Sequence, residues 1–244
     1  MVTVRRTAQS LALVLALVGV FAGTAQASPI QFWTGDTSDS VSSGVVTAIV
    51  PHGVWGDVSA SAGLASGTAQ WISYANTGLG GIFAPNIGDP ANDGNSDDRV
   101  IGNETALFSR TLMIVGAGNF DLWILADDTA TVVLSGPGGY LNTLFNASTQ
   151  QVNPCAPGDG GAGLGCVQNA MGHAALRGLA TGIYTLDVYA FQTNGDVFGI
   201  QYAGNYSGPS AASDPSQPVP EPMSLVLLGT GLAGAATRFR RRKS

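Results

Sequence analysis

The chain has 244 residues and is acidic, with ten Lys and Arg residues against sixteen Asp and Glu residues. Between Ser28 and Pro218 three arginines, no lysine and fifteen acids leave a net charge near −12. Such a surface repels phosphate backbones, so the composition argues against a nucleic-acid partner and leaves cations and neutral sugars. Apart from two apolar ends, about 185 residues remain, enough for one domain with a sizeable core.

The N-terminal end, residues 1–27, has the pattern of a secretory signal peptide. Arg5 and Arg6 provide the charged start, and residues 11–22 form a short apolar run. Ala25, Gln26 and Ala27 then fit the small-x-small rule for cleavage. We predict cleavage between Ala27 and Ser28, with an uncleaved membrane anchor as the alternative.

The region 28–213 is predicted to be one all-β domain. Short β-branched or alternating runs are separated by Gly, Asn, Asp and Ser. The predicted strands are 45–50, 111–115, 120–126, 129–134, 182–193 and 197–202, and the Asn-Gly at 194–195 predicts a hairpin between the last two. Helical periodicity is confined to one ambiguous segment, 167–179, which fits a helical turn or a loop. Many short strands with Gly-rich turns favour an antiparallel, jelly-roll-like β-sandwich.

An acidic loop precedes the central strands. Asp93, Asn95 and Asp97, with Glu104 at the twelfth position, have the oxygen-ligand spacing of an EF-hand calcium loop. Asp98 occupies the sixth position, where that loop needs glycine, so a calcium site of another type and a solvated acidic loop remain the two alternatives.

The run FDLWILADDTATVVLSG at 120–136, followed by GIYTL at 182–186, resembles galactose-binding-like and PA14-like jelly rolls. The resemblance supports the sandwich. It also implies that Asp127 and Asp128 hold calcium together with a sugar hydroxyl, with Trp123 or Trp71 as a stacking surface. The alternative is a tight turn whose carboxylates accept backbone amides. The four tryptophans at 33, 55, 71 and 123 are otherwise expected in the core.

Two cysteines, Cys155 and Cys166, close a Gly-rich loop in the exported region. An even pair in an oxidising compartment predicts a disulfide, worth about 2–3 kcal/mol for a loop of this length. Zinc is the alternative, but it needs three or four ligands, and His173 is the only histidine nearby.

Sequence motifs for catalysis are lacking. His52 and His173 are the only histidines, and the chain contains no G-x-S-x-G, H-E-x-x-H or P-loop pattern. We therefore expect that the protein is not an enzyme and carries no cofactor, with calcium as the one compatible ion.

The C-terminal end has three elements in order. After a Pro-rich linker at 214–218 come Val219, Pro220, Glu221 and Pro222, then an apolar stretch at 223–236 and a basic terminus. The prolines hold the backbone extended around one carboxylate. The apolar stretch is predicted to be a short transmembrane helix, with the basic end on the cytoplasmic side.

These elements at 219–244 resemble the PEP-CTERM sorting signal of Gram-negative bacteria that make exopolysaccharide. The resemblance implies an exosortase that recognises Pro-Glu-Pro and removes the tail. It also implies a transient stay in the inner membrane, followed by the cell surface or extracellular matrix. A Pro-rich linker before an ordinary tail anchor is the alternative.

Three functions remain open for the domain. The first is a non-catalytic envelope or matrix protein associated with exopolysaccharide or biofilm. The second is a calcium-dependent carbohydrate-binding module, and the third is a secreted hydrolase.

Overall fold

The computed structural model describes residues 29–84, 99–115, 118–148, 164–192 and 197–207, which contain eleven strands. Two short 3-10 turns, Pro137–Gly139 and Gln168–Ala170, also occur among these residues. The strands are β1 (Pro29–Trp33), β2 (Asp39–Val41), β3 (Thr47–Ala48), β4 (Ile72–Ser73), β5 (Ala106–Ile114), β6 (Gly118–Asp127), β7 (Thr129–Ser135), β8 (Leu141–Phe145), β9 (Gly172–Leu179), β10 (Gly182–Phe191) and β11 (Gly199–Ser207).

The strands form two antiparallel sheets. The six-stranded sheet has the order β3-β4-β11-β6-β9, and β1 also pairs with β11. The five-stranded sheet has the order β2-β5-β10-β7-β8. Apolar side chains of both sheets share one buried cluster, so the sheets pack face to face. The predicted all-β sandwich is confirmed.

The inter-sheet core follows from alternation along the central strands. In β10, Tyr184, Leu186 and Val188 are buried while the residues between them are partly exposed. In β6, Leu122 and Ile124 face the same core. Burying each such side chain contributes about 1.5–3 kcal/mol, so the period-two pattern is what holds the layers together.

The predicted hairpin at Asn194-Gly195 is wrong. Strand β10 pairs with β5 and β7, whereas β11 pairs with β6, β1 and β4 in the other sheet. The connection therefore crosses between the sheets. The β6–β7 connection at Asp128 does the same, because β7 pairs with β10 and β8 and not with β6.

The ambiguous segment 167–179 is one helical turn followed by a strand. Gln168–Ala170 is the 3-10 turn, and Gly172–Leu179 is β9, an edge strand paired with β6. The predicted strand at 45–50 is shorter than expected, since only Thr47–Ala48 pairs, with β4. The other five predicted strands coincide with β5, β6, β7, β10 and β11 to within a few residues at their ends, apart from a longer β5 and a later end of β11.

Within the described residues, no helix is both long and apolar enough to cross a membrane.

Candidate functional site

A second apolar cluster covers the outer face of the six-stranded sheet. We call it the outer cluster, and its buried members are Ile49, Val58, Ala62, Ala69, Trp71, Leu125, Cys166, Val167, Ala170 and Ala203. The tryptophans at 33, 55 and 123 pack against it and are half-buried. The tryptophans are expected in the core from their sequence, and Trp71 is buried in this outer cluster, whereas the other three are half-buried against it and none lies between the two sheets.

A groove of about 860 Å³ borders the outer cluster, and we call it the tryptophan groove. Its lining residues are Thr47, Ala48, Ile49, Val50, Pro51, Trp55, Gly56, Asp57, Gly67, Ala69, Gln70, Trp71, Asn76 and Gln201. The ring centroids of Trp55 and Trp71 lie 4.2 Å apart. The Trp71 indole nitrogen donates to the Gly56 carbonyl at 3.1 Å, which fixes its ring. The groove thus combines aromatic walls with amide and carboxylate groups.

The loop that forms one wall is anchored to the sheet by a buried amide. The Gln201 side chain accepts from the Val58 amide at 3.0 Å and donates to the Ala69 carbonyl at 2.8 Å. Both ends of the amide are therefore satisfied inside the protein, as a buried polar group requires. Gln201 positions the wall and is not free to contact a ligand.

Asp57 closes the same loop through its carboxylate. It accepts from the Ser59 amide at 2.9 Å, the Gly67 amide at 2.8 Å and the Ser66 hydroxyl at 3.0 Å. Partial burial acts to raise the pKa of Asp57, but these hydrogen bonds outweigh it and hold the pKa below its usual value. Asp57 consequently stays charged at neutral pH.

A second groove of about 630 Å³ lies beside it, and we call it the acidic groove. It is lined by Gly35, Asp36, Thr37, Asp39, Ser40, Val41, Gly44, Val45, Val46, Ala48, Gln70 and Ile72. Behind its two carboxylates, the guanidinium of Arg110 enters the sandwich from β5 and stacks 5.2 Å from the Phe32 ring. The carboxylates face a buried cation.

Arg110 binds the two carboxylates unequally. Its Nη1 and Nη2 donate to Asp36 at 2.7 and 2.6 Å, while Nη1 lies 3.4 Å from Asp39 Oδ1. The Tyr202 hydroxyl of β11 donates to the same Asp39 oxygen. Since β5 and β11 belong to different sheets, this network joins the two layers.

The environments of the two carboxyls shift their pKa values in opposite directions. Burial acts to raise the pKa of Asp36, but the hydrogen bonds and charge of Arg110 outweigh it and the pKa is lowered. Burial raises the pKa of Asp39, and Tyr202 and Arg110 only partly compensate. Burial also raises the pKa of Tyr202 well above 10, with the charge of Asp39 adding to the effect.

Such divergence is typical of acid–base pairs in catalysis. Here both oxygens of Asp36 accept from Arg110, and the Asp39 side chain has no exposed surface. The arrangement favours a structural network over proton transfer to a substrate. Sequence reasoning missed it, because Arg110 and the two aspartates are more than 70 positions apart.

The predicted calcium residues are only partly within the described regions. Asp127 ends β6 and Asp128 follows it in the connection to β7; they are 3% and 2% exposed, so their carboxylates do not reach the surface. Asp93, Asn95 and Asp97 lie outside the described residues. Among the residues that are described, no group of three or more His, Cys, Asp or Glu side chains could hold a metal ion. The calcium site stays a prediction.

The two tryptophans predicted to stack on a sugar held by Asp127 and Asp128 belong to the outer layer. Trp71 is buried in the tryptophan groove wall, and Trp123 stacks on His173 with centroids 4.5 Å apart. Trp123 is therefore already covered on one face by an imidazole.

The remaining predicted sites fall on residues that the structure does not describe. Cys166 is buried in the outer cluster, but Cys155 lies outside the described residues, so the disulfide stays a prediction. The same holds for the cleavage site at Ala27 and Ser28 and for the structure of residues 219–244.

Fold and grooves together define the class: an acidic β-sandwich with a concave, partly aromatic outer surface. Residues 218–242 match the PEP-CTERM protein-sorting motif, so the chain carries that motif, as its sequence pattern predicts. The motif marks an exported protein that an exosortase sorts to the cell envelope. No curated protein matches the sequence.

Similar solved structures include a family 35 carbohydrate binding module from Clostridium thermocellum, at 10% identity and a TM-score of 0.33 over 75% of this chain and 100% of that one. The K1 cleaved adhesin domain of Lys-gingipain from Porphyromonas gingivalis W83 is 14% identical, with a TM-score of 0.33 over 75% of this chain and 99% of that one. The exo-β-1,3-galactanase from Phanerochaete chrysosporium is 12% identical, with a TM-score of 0.30 over 73% of this chain and 29% of that one. At these scores the likeness carries no argument about ligand or activity.

Proposed function

We propose that the protein is a non-catalytic module of the cell surface or extracellular matrix that associates with exopolysaccharide. The observation that carries the proposal is the sorting motif at 218–242, which supports export and sorting to the cell envelope. The acidic body, with a net charge near −12 between Ser28 and Pro218, suits a soluble extracellular module.

Two structural features favour a binding role over catalysis. The tryptophan groove has the size and mixed lining of a ligand site, about 860 Å³ with aromatic walls and a few polar groups. The acid pair with divergent pKa values, Asp36 and Asp39, is sequestered by Arg110 and Tyr202. A secreted hydrolase would need an accessible acid and base, so a flat result in an activity screen against polysaccharides and esters is expected.

Sorting is tested by changing the motif. Glu221→Ala, or deletion of the exosortase, is expected to leave uncut precursor in the membrane fraction, as judged by mass spectrometry. Glu104→Ala is the matched control, because Glu104 is the only other glutamate in the chain and lies in the sandwich. Normal processing of Glu221→Ala and in the deletion strain would mean that the tail is only an anchor.

Association with polysaccharide is tested by fractionation. Wild-type protein is expected in the extracellular polysaccharide fraction, and digestion of that polysaccharide is expected to release it. Recovery of the full-length chain from the cytosol, with both ends intact, would contradict the proposal.

A further inference from the structure

The tryptophan groove and the acidic groove meet, because Ala48 and Gln70 line both of them. We call the two adjacent grooves together the cleft; Trp55 lines the tryptophan groove and Asp36 lines the acidic groove. We propose that this cleft binds an extended chain of neutral sugar residues. The inference rests on the proposed function and deepens it by naming the site and the chemical class of the ligand.

Gln70 lines both grooves, and its backbone is held in place. The backbone amide of Gln70 donates to the Thr34 carbonyl at 3.0 Å, and the Thr34 hydroxyl donates to the backbone carbonyl of Gln70 at 2.6 Å. The side chain is exposed and lies over Gly35, where an added Cβ would sit 2.8 Å from its Oε1. An amide is both donor and acceptor, so it can pair with sugar hydroxyls, which are also both.

Trp55 provides a rigid apolar wall at one end. Its ring is half-buried against the outer cluster and lies 4.2 Å from Trp71, whose own ring is fixed by Gly56. An indole held in this way offers a large contact area at a small entropic cost on binding. The C–H face of a sugar ring is the part of a carbohydrate that such a surface can contact.

Charge selects a neutral chain. Among the described residues that line the cleft, Asp36 and Asp57 have partly exposed carboxylates and none is a Lys or Arg. Asp57 accepts from two backbone amides and a hydroxyl, and its pKa is lowered, so it stays ionised at neutral pH and repels a polyanion. A cation is disfavoured as the ligand, because both oxygens of Asp36 already accept from Arg110.

The test is isothermal titration of the processed protein with cellohexaose, laminarihexaose and mannohexaose, and with polyguluronate as an acidic comparator. At least one neutral hexasaccharide is expected to bind, and polyguluronate is not. Trp55→Ala should weaken binding about tenfold or more, as for an aromatic anchor. Gln70→Ala should weaken it about three- to tenfold, as for a lost hydrogen bond.

The controls match each variant in residue type and exposure. Trp33 is also half-buried against the outer cluster but does not line the cleft, and Gln31 is also exposed but lies on β1. Trp33→Ala and Gln31→Ala should bind within about twofold of wild type. Gln70 and Gln31 are both exposed, so neither Gln→Ala change removes a buried contact. If a tryptophan variant does not fold, the comparison of these two glutamine variants decides whether the cleft binds the sugar chain.

Wild-type affinity in Gln70→Ala and in a folded Trp55→Ala would overturn the proposal, as would a lack of binding to all three neutral chains or a preference for polyguluronate. If the protein still occurs in the matrix in those cases, the cleft is the wrong site and the proposed function stands. If the variants lose binding but the wild-type protein is never found outside the cell, the cleft stands and the proposed function fails.

Discussion

Replacing Arg110 with Met is expected to destabilise the protein by about 3–5 kcal/mol at pH 7, and by less in acid. Arg110 is 7% exposed, and its guanidinium lies beside two carboxylates. Methionine keeps an apolar stem in contact with Phe32 but supplies no charge. Asp36 is 22% exposed and can hydrate, whereas the Asp39 side chain is fully buried and would be left without a cation.

The destabilisation caused by Arg110→Met depends on pH because the Asp39 carboxylate becomes neutral when it binds a proton. Protonating a carboxyl of ordinary pKa 3.8 costs about 4.4 kcal/mol at pH 7 and about 1.6 kcal/mol at pH 5. The pKa of Asp39 is already raised in the folded protein, so the stability linked to its proton is present at low pH and lost as the pH rises above 3.8. Loss of Arg110 raises this pKa further. The penalty of the variant should therefore shrink by up to about 3 kcal/mol between pH 7 and pH 5.

Urea unfolding at pH 5, 6 and 7 measures this penalty for wild type and variant. Arg177→Met is the matched control: Arg177 also holds a carboxylate with two bonds, to Asp121 at 2.9 and 3.1 Å, but its side chain is 56% exposed. It should cost less than about 1 kcal/mol at every pH. The reasoning is refuted if the Arg110→Met penalty is the same at pH 5 and pH 7, or no larger than that of the control.

Three further predictions concern stability. The raised pKa of Tyr202 contributes stability that is present below pH 10 and lost as the pH rises above it. Tyr202→Phe should therefore make the fall of the unfolding free energy above pH 10 shallower by about 1.4 kcal/mol per pH unit. An unchanged slope in urea titrations above pH 10 would contradict this. Gly204→Ala should cost about 3 kcal/mol in thermal or urea unfolding, because the added Cβ would meet the Asp121 carbonyl and the Phe32 ring. Asp57→Ala should cost about 1–2 kcal/mol, since the amides of the groove wall lose their acceptor; wild-type stability would argue against that role.

Local pattern predicts the strands well but not their partners. Strands β6, β7 and β10 are found near their predicted positions because alternation of apolar residues marks one buried face. The same alternation does not say which sheet a strand joins. Asn194-Gly195 is a good turn sequence, yet β10 and β11 lie in different sheets, since their partners are set by packing of distant strands.

Strand β9 shows how pairing overrides propensity. Its sequence GHAALRGL has no β-branched residue and two glycines, which is why it fits a helical turn or a loop equally well. Pairing of its residues with β6, such as His173 opposite Trp123, makes it a strand. No signal within 172–179 points to this, because the stabilising contacts come from elsewhere in the chain.

The outer cluster, by contrast, could have been predicted from the apolar residues of β6. In β6 both faces are apolar: Leu122 and Ile124 point to the core, while Trp123 and Leu125 point to the outer layer. A strand that is apolar on both faces indicates a sheet covered on both sides. The larger part of the cover, residues 49–71, has no strand or helix periodicity and is held by individual hydrogen bonds such as those of Gln201.

The tryptophan groove and the end of β11 lie at different points along that strand. Gln201 lies at the base of the tryptophan groove, whereas β11 ends at Ser207, opposite Pro29 of β1. Six residues of strand separate the two points by about 20 Å. The chain therefore enters and leaves the sandwich at one end, and the cleft opens nearer the other.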